Sequence, residues 1–243
     1  MIGKVEAYGG ILMGYTRKDL LGKVESASCE MHLFYKHDFI NYRGRTTDTG
    51  EIYSEIIAEW CIENIARFAS IPMITREAKY KIKTHDGMPR NEDSNREEEL
   101  IAMEIFRQGF VENLGNVIDY QTPLKNRRSD KAGKIDLLSY DGERVCILEL
   151  KEPNSDETML RCVLEGYTYL KIVDEKRLKE DFELAEDAEL LACPLVFKGG
   201  IQWQEMQEER PKLKKLMKLL NSKAFYLEKY LNKYIVMEDC QNG

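Results

Sequence analysis

No run of apolar residues in this 243-residue chain approaches the roughly 20 needed to cross a bilayer. The opening MIGKVEAYGG has no basic segment leading into an apolar one, so no signal peptide is expected and the chain is assigned to the cytoplasm. Cysteine and histidine are scarce. The six cysteines (29, 61, 146, 162, 193 and 240) include no close pair, which excludes zinc ribbons and CxxC redox motifs. Cys146, Cys162 and Cys193 stand in apolar segments and are expected to act as small buried side chains. His32 and His37, in MHLFYKHD, fit ordinary surface or core histidines better than metal ligands. A Gly-rich phosphate loop, a Gly-x-Ser-x-Gly elbow, internal repeats and low-complexity tracts are also absent.

What the chain does have is charge: 33% of residues are charged and 43% hydrophobic, the balance of a soluble globular protein. A net charge of −7 argues against a general polyanion binder, because summed negative charge repels phosphate. Local stretches run the other way. KNRRSDKAGK (125–134) sets Lys125, Arg127, Arg128, Lys131 and Lys134 against Asp130, and RPKLKKLMKLLNSK covers 210–223.

Residues 1–93 read as an N-terminal extension, partly helical, and 94–243 as the main domain. In the extension, EIYSEIIAEWCIENIARFA carries a helical stripe at 52, 56, 57, 60, 61 and 65, with Pro72 beyond its end. THDGMPRNEDSN (84–95) is polar and rich in turn formers, a loop or junction. Ser94 or Asn95 can then cap a helix whose first turn carries Glu97, Glu98 and Glu99, where the macrodipole favours acids. That helix stops near Gly109. VIDYQTPL reads as a strand running into the basic loop. KIDLLSY, Asp141-Gly142 and RVCILELK read as strand, two-residue turn and strand. Asn154 and Glu157 form a capping box for a helix over ETMLRCVLEGYTYLKIV. ELLACPLVF is a strand. The helix over QEMQEERPKLKKLMKLL is kinked or begun late at Pro211. KAFYLEKYLNKYIVME closes the chain as strands, or as a short helix and a strand. The sum is an α/β fold, a mixed sheet covered by helices.

One stretch in this frame demands explanation. CILELKEP puts Glu149 and Lys151 in a strand that otherwise reads as core. With Asp141 and Gly142 as the whole loop, Tyr140 faces Glu143, Asp136 faces Ile147 and Lys134 faces Glu149. Opposed residues share a face and each strand alternates with period two. Asp136, Glu149 and Lys151 therefore share one face, with Glu149 diagonal to Asp136 at roughly 7–8 Å between backbones. Leu148, Leu150, Ile135 and Leu137 point to the other face. Burying an unpaired carboxylate or ammonium costs several kcal/mol, so three such groups on one face require compensation. A buried salt bridge without chemistry provides it in one way, and a metal ion with a phosphate in another.

These residues resemble the PD-(D/E)XK nuclease superfamily: Asp136 in GKIDLL, then Glu149-Leu150-Lys151 in ILELKEP. The resemblance covers about 94–200 and implies a restriction-endonuclease-like core of helix, three strands, helix and strand. Ile135 replaces the proline of the family name. The resemblance implies that Asp136, Glu149 and the backbone carbonyl of Leu150 hold Mg²⁺ or Mn²⁺, hard cations that prefer oxygen. Lys151 would orient or help deprotonate the attacking water. The family's helix-borne glutamate is assigned to Glu98, with Glu97 as runner-up, because 98, 101, 102, 105 and 109 form one stripe. A Gln-x-x-x-Tyr pattern on the second helix of exonuclease-like branches is matched by Glu165 and Tyr169, with Arg161 one turn earlier; glutamate in place of glutamine is a departure. Lys125, Arg127, Arg128, Lys131, Lys134, Arg161 and Tyr169 are the expected nucleic-acid contacts. The implied function is a metal-dependent nuclease acting on DNA in preference to RNA, with a homodimer as a candidate assembly and no membrane partner. The competing class is a nuclease-like module without catalysis that binds a protein or nucleic acid.

Overall fold

The computed structural model describes residues 14–89, 96–127, 130 and 132–239. Arg17–Ala27 (α1), two 3₁₀ segments (Ser28–Lys36 and Asp38–Asn41), Tyr53–Glu63 (α2) and Ile65–Ala69 (α3) come first. Glu97–Gln108 (α4) precedes Phe110–Val111 (β1), Gly115–Pro123 (β2), Lys134–Tyr140 (β3) and Arg144–Leu150 (β4). Met159–Ile172 (α5), Glu175–Phe182 (α6) and Glu189–Phe197 (β5) follow, then Ile201–Gln207 (α7), Pro211–Leu219 (α8), Phe225–Tyr230 (β6) and Lys233–Glu238 (β7). No described helix is long and apolar enough to cross a membrane.

The seven strands form one mixed sheet in chain order. β4–β5 and β5–β6 are parallel and the other neighbours antiparallel. Each sheet face buries its own apolar cluster. On one side Ile101, Ala102 and Ile105 of α4 meet Leu137, Leu148, Leu150, Cys193 and Leu195. On the other, α5 covers Leu138, Val145 and Ile147, and residues from the first 80 positions join it there, among them Leu20, Phe34, Tyr35, Ile57, Phe68 and Tyr80. The N-terminal part is thus built into the same core as the strands. Ile135, expected beside Leu148, is also fully buried but packs with this second cluster. Central strands covered on both faces must be apolar on both, which is why VCILEL looks continuous rather than alternating.

The last part of the N-terminal region is tied to α5 and then to β2. Ile74 N donates to Ile172 O, Asp174 N to the Tyr80 hydroxyl, and His85 Nδ1 lies 2.6 Å from Asp119 Oδ1. At the far edge of the sheet, the Gln108 and Asn113 amides donate to Tyr234 O and Val236 O. Side chains thereby occupy backbone groups that an edge strand would offer to another chain.

Local signals explain most boundaries. α4 ends at Gly109 as expected. Its N-cap is Arg96 with no side-chain cap, while Ser94 and Asn95 lie outside the described residues. The long stripe at 52–65 is interrupted at Asn64, giving α2 and α3. Pro211 takes the first position of α8 and separates it from α7, where its missing N–H costs nothing. The lysines of α8 lie opposite the buried Leu213, Leu216 and Met217, and Lys212 pairs with Glu59 of α2 at 2.6 Å. The closing segment is a β6–β7 hairpin.

Two sequence expectations are corrected. The Asn154–Glu157 capping box does not form. Thr158 caps α5, accepting from Arg161 N and anchored by its own hydroxyl to Ile40 O at 2.9 Å. The β3–β4 turn is also longer than Asp-Gly. The Asp141 carboxylate accepts from the amides of Glu143 and Arg144 at 2.9 and 2.7 Å, an Asx-type closure that draws both residues into the loop. Tyr140 therefore faces Val145, not Glu143, and Leu137 faces Leu148.

Gly115 makes close contact with this turn. At φ 81°, a Cβ there would lie 2.5 Å from Tyr140 O and 2.7 Å from Asp141 Cα. Gly115→Ala combines a left-handed backbone with collision against rigid backbone atoms. It is expected to lower stability by about 2 kcal/mol or more, read from the urea midpoint by circular dichroism.

Candidate active site

Lengthening the turn by two residues preserves the faces of the paired residues 137–140 and 145–148 but changes their partners. The β3–β4 pairing runs from Tyr140–Val145 to Leu137–Leu148, and Asp136 and Glu149 are the next residues of the two strands. Leu150 lies between the charged positions, its side chain in the α4-side core and its amide donating to Asp136 Oδ2 at 3.0 Å.

Lys151 is the centre of the site. It and Glu149 are each only 4% exposed. Its Nζ lies 2.7 Å from Glu149 Oε1, 2.9 Å from Glu157 Oε2 and 3.9 Å from both Glu98 Oε1 and Glu165 Oε2. Burial alone would lower its pKa, but the charges of Glu149, Glu165 and Glu98 outweigh burial and hold it well above the usual lysine value. Lys151 is thus a fixed ammonium.

A second cation stands one step away on α5. Arg161 Nε is 3.2 Å from Glu165 Oε2, and its Nη2 is 3.8 Å from Glu157 Oε1. Glu165 Oε1 accepts the Tyr169 hydroxyl at 2.7 Å, and the Tyr35 hydroxyl meets that of Tyr169 at 3.4 Å. The ring of Tyr35 lies 5.0 Å beneath the Arg161 guanidinium, within cation–π range. The i, i+4 spacing of 161, 165 and 169 therefore does form one stripe of α5. Gly133 admits it to its place: a Cβ there would run into the Tyr169 hydroxyl.

Negative charge is in excess. Among the described residues, Glu98, Asp136, Glu149, Glu157 and Glu165 gather around Lys151 and Arg161, with Arg96 on the cleft rim. Burial, reinforced by Glu98, pushes the Asp136 carboxyl up to about 7 against the pull of Lys151. Burial and the neighbouring Glu165 raise Glu149 too, and burial raises Glu98. Glu149 Oε2 is buried with no hydrogen-bond partner. Glu98 and Asp136 border a cleft of about 480 Å³ also lined by Gln121, Glu152, Asn154 and Glu157, among others.

Among the described residues no three His, Cys, Asp or Glu side chains are drawn together as a ready ligand set. A divalent ion does not require one, since Mg²⁺ keeps several waters and is commonly held by one or two carboxylates. Asp136 and Glu149 provide two, and the free Oε2 of Glu149 is the kind of orphaned acceptor that an ion would satisfy. The donor set fits a hard cation.

The other expected residues divide into four groups. Glu98 points its carboxylate towards Lys151, whereas Glu97 is exposed on the cleft rim. Lys125, Arg127 and Lys134 are exposed where the basic loop enters β3, a loop drawn together by Asp130 accepting from the amides of Asn126 and Arg127. Arg128 and Lys131 lie outside the described residues. Tyr169, expected to touch nucleic acid, is instead 5% exposed with its hydroxyl committed to Glu165, so it orders the site from beneath. Three participants escaped the sequence reading: Glu157, Gln121, which donates to Asp136 Oδ1 at 2.9 Å, and Tyr35. No spacing rule connects any of them to the hairpin. No family model matches this chain, and no curated protein or solved structure does either.

The charge excess makes the metal-free site a source of instability with a defined pH dependence. Between the ordinary aspartate value and about 7, the folded protein keeps on Asp136 a proton that the unfolded chain has released. Acidification through that window therefore favours the fold, and raising the pH through 7 removes the advantage. Asp136→Asn is expected to raise metal-free stability by about 1–3 kcal/mol at pH 8 and by little at pH 4. Urea titrations at both pH values check this; a loss of stability at pH 8 would contradict it.

Proposed function

We propose that this protein is a metal-dependent nuclease that hydrolyses phosphodiester bonds in DNA, with its site on the β3–β4 hairpin beneath α5. What supports this reading most is the buried Lys151 set among Glu149, Glu157, Glu98 and Glu165, at the end of the strand pair that carries Asp136 and Glu149 and next to a cleft with more acid than base. The order of α4, β2, β3, β4, α5 and β5 is also the order that the PD-(D/E)XK resemblance implies, and the restriction-endonuclease-like assignment is part of the proposal.

Asp136 and Glu149 would hold Mg²⁺ or Mn²⁺, with the Leu150 carbonyl as the further ligand the resemblance implies. When bound, such an ion would offset the carboxylate excess and stabilise charge growing on the phosphate. Lys151, kept as an ammonium by its neighbours, is assigned to orient the attacking water and to counter developing negative charge. Glu98 reaches the same volume from α4 and can accept a hydrogen bond from that water. Arg161 and Tyr169 fix Glu165, and Lys125, Arg127 and Lys134 offer positive charge to the phosphate backbone at the mouth of the cleft.

A second reading has one observation in its favour. Lys151 occupies the middle of the acids, as it would in a buried ion-pair network kept for structure alone. In that case the fold would be a non-catalytic module that binds a protein or nucleic acid.

Labelled linear, circular and single-stranded DNA, and RNA, incubated with Mn²⁺ or Mg²⁺, separate the two. Metal-dependent cleavage that falls about a hundredfold or more in Glu149→Ala and Lys151→Ala, with circular dichroism unchanged, is the expected result. No cleavage, together with no Mn²⁺ uptake by calorimetry, would favour the non-catalytic module.

A further inference from the structure

The β6–β7 hairpin ends in Lys229-Tyr230-Leu231-Asn232-Lys233, with Tyr230 paired to Lys233 across the turn. Its two apolar residues are unusually bare: Tyr230 is 66% and Leu231 81% exposed. Leu231 also holds a left-handed backbone, φ 55°, at a hairpin position where glycine or asparagine is normal. A leucine there is unfavourable for the turn and unfavourable for solubility, so folding alone does not account for it. Such strain at an exposed tip is a feature of ligand-contacting sites.

The sheet topology sets where the tip points. β4, β5 and β6 are mutually parallel, so Lys151, at the end of β4, and Tyr230, at the end of β6, lie at the same edge of the sheet. β6 is level with β5 at Leu227 and Phe197 and then continues for three residues, roughly 10 Å, beyond it. β3 runs antiparallel to β4, which puts Lys134 at this edge too, on the opposite side of the site. The tip's Lys229, Asn232 and Lys233 border a cleft of their own with Glu104, Arg107, Gln108 and Phe110 at the C-terminal half of α4, the helix whose first turn borders the acidic cleft.

We propose that the β6–β7 tip is a wedge for duplex DNA, with Tyr230 and Leu231 entering a base step and Lys229 and Lys233 meeting the adjacent phosphates. This rests on the nuclease reading of the neighbouring cleft. The chemistry favours DNA over a protein partner. Two side chains on a narrow turn fall far short of the roughly 800 Å² per partner of a stable protein interface, whereas one or two apolar side chains suffice to open and kink a base step. Lys229 is held in position by Glu104 at 2.6 Å and by the Tyr234 hydroxyl at 3.2 Å.

Leu231→Gly supplies the discriminating test, because glycine relieves the turn while removing the wedge. Binding is measured by anisotropy on a labelled duplex of about 20 base pairs carrying 2-aminopurine, with Ca²⁺ to hold the substrate uncut; cleavage is measured in Mg²⁺. Leu231→Gly and Tyr230→Ala are each expected to weaken binding about tenfold and to abolish the 2-aminopurine signal, with the urea midpoint of Leu231→Gly unchanged or raised. Wild-type Kd, KM and 2-aminopurine signal in both variants, with cleavage intact, would overturn the wedge and leave the nuclease reading standing. Tip-dependent binding without any cleavage would keep the wedge and remove the catalytic reading. No duplex binding by the wild-type protein would overturn the wedge, as would a dimer seen by light scattering that Tyr230→Ala dissociates, since the tip would then be a contact between copies.

Discussion

The site depends on one buried ammonium. Lys151 stands within 4 Å of four carboxylates, of which Glu149 and Glu165 are buried and Glu98 and Glu157 reach solvent, and the hydrogen bonds around it take their geometry from that balance. An ammonium and a carboxylate separated by under 3 Å in a poorly hydrated interior attract strongly, but each has lost its hydration. Lys151 offsets part of the repulsion among the acids, and the acids in turn keep it charged. Arg161 extends the same compensation to Glu157 and Glu165, and Tyr35 and Tyr169 supply the neutral donors and ring face that complete it.

That requirement explains why the N-terminal region is part of the core. Five acids and two cations at the end of a strand pair would be wet and mobile if α5 were exposed on its outer side. The 3₁₀ segment carrying Phe34 and Tyr35 covers α5 and closes the site from behind. The loop between β4 and α5, whose capping residue is bonded to Ile40, then holds Glu157 against Lys151. Folding, packing and site electrostatics are therefore coupled: the residues that bury α5 also set the local dielectric in which the carboxylates act.

The turn between β3 and β4 shows how a small error in local reading spreads. Asp-Gly is a strong hairpin signal, yet the Asp141 side chain closes a longer loop by accepting two amides. The register moves by two, an even number, so the paired residues from Leu137 to Tyr140 keep their faces while their partners change; beyond them Ile135 turns to the other cluster. The capping of α5 is a similar case: Asn154 and Glu157 have the spacing of a capping box, but Thr158 caps the helix because its hydroxyl also has a carbonyl to bond on a distant segment.

Sequence alone determined what depends on period and on residue chemistry. The strands around Asp136 and Glu149, the shared face of Asp136, Glu149 and Lys151, the acidic first turn of α4 and the stripe of α5 are all legible, because alternation and 3.6-residue spacing are local properties of the backbone. Tertiary structure decided which groups meet. Glu157 lies in a loop with no period, Gln121 is on a strand whose pairing shifts between Val117 and Asp119, and Tyr35 lies 134 positions from the tyrosine it bonds. Contacts of that range are set by how helices and sheet pack, and no local pattern encodes them. The carboxylate excess, the most informative property of the site, is such a contact property, since it exists only where distant segments deliver their charges to one volume.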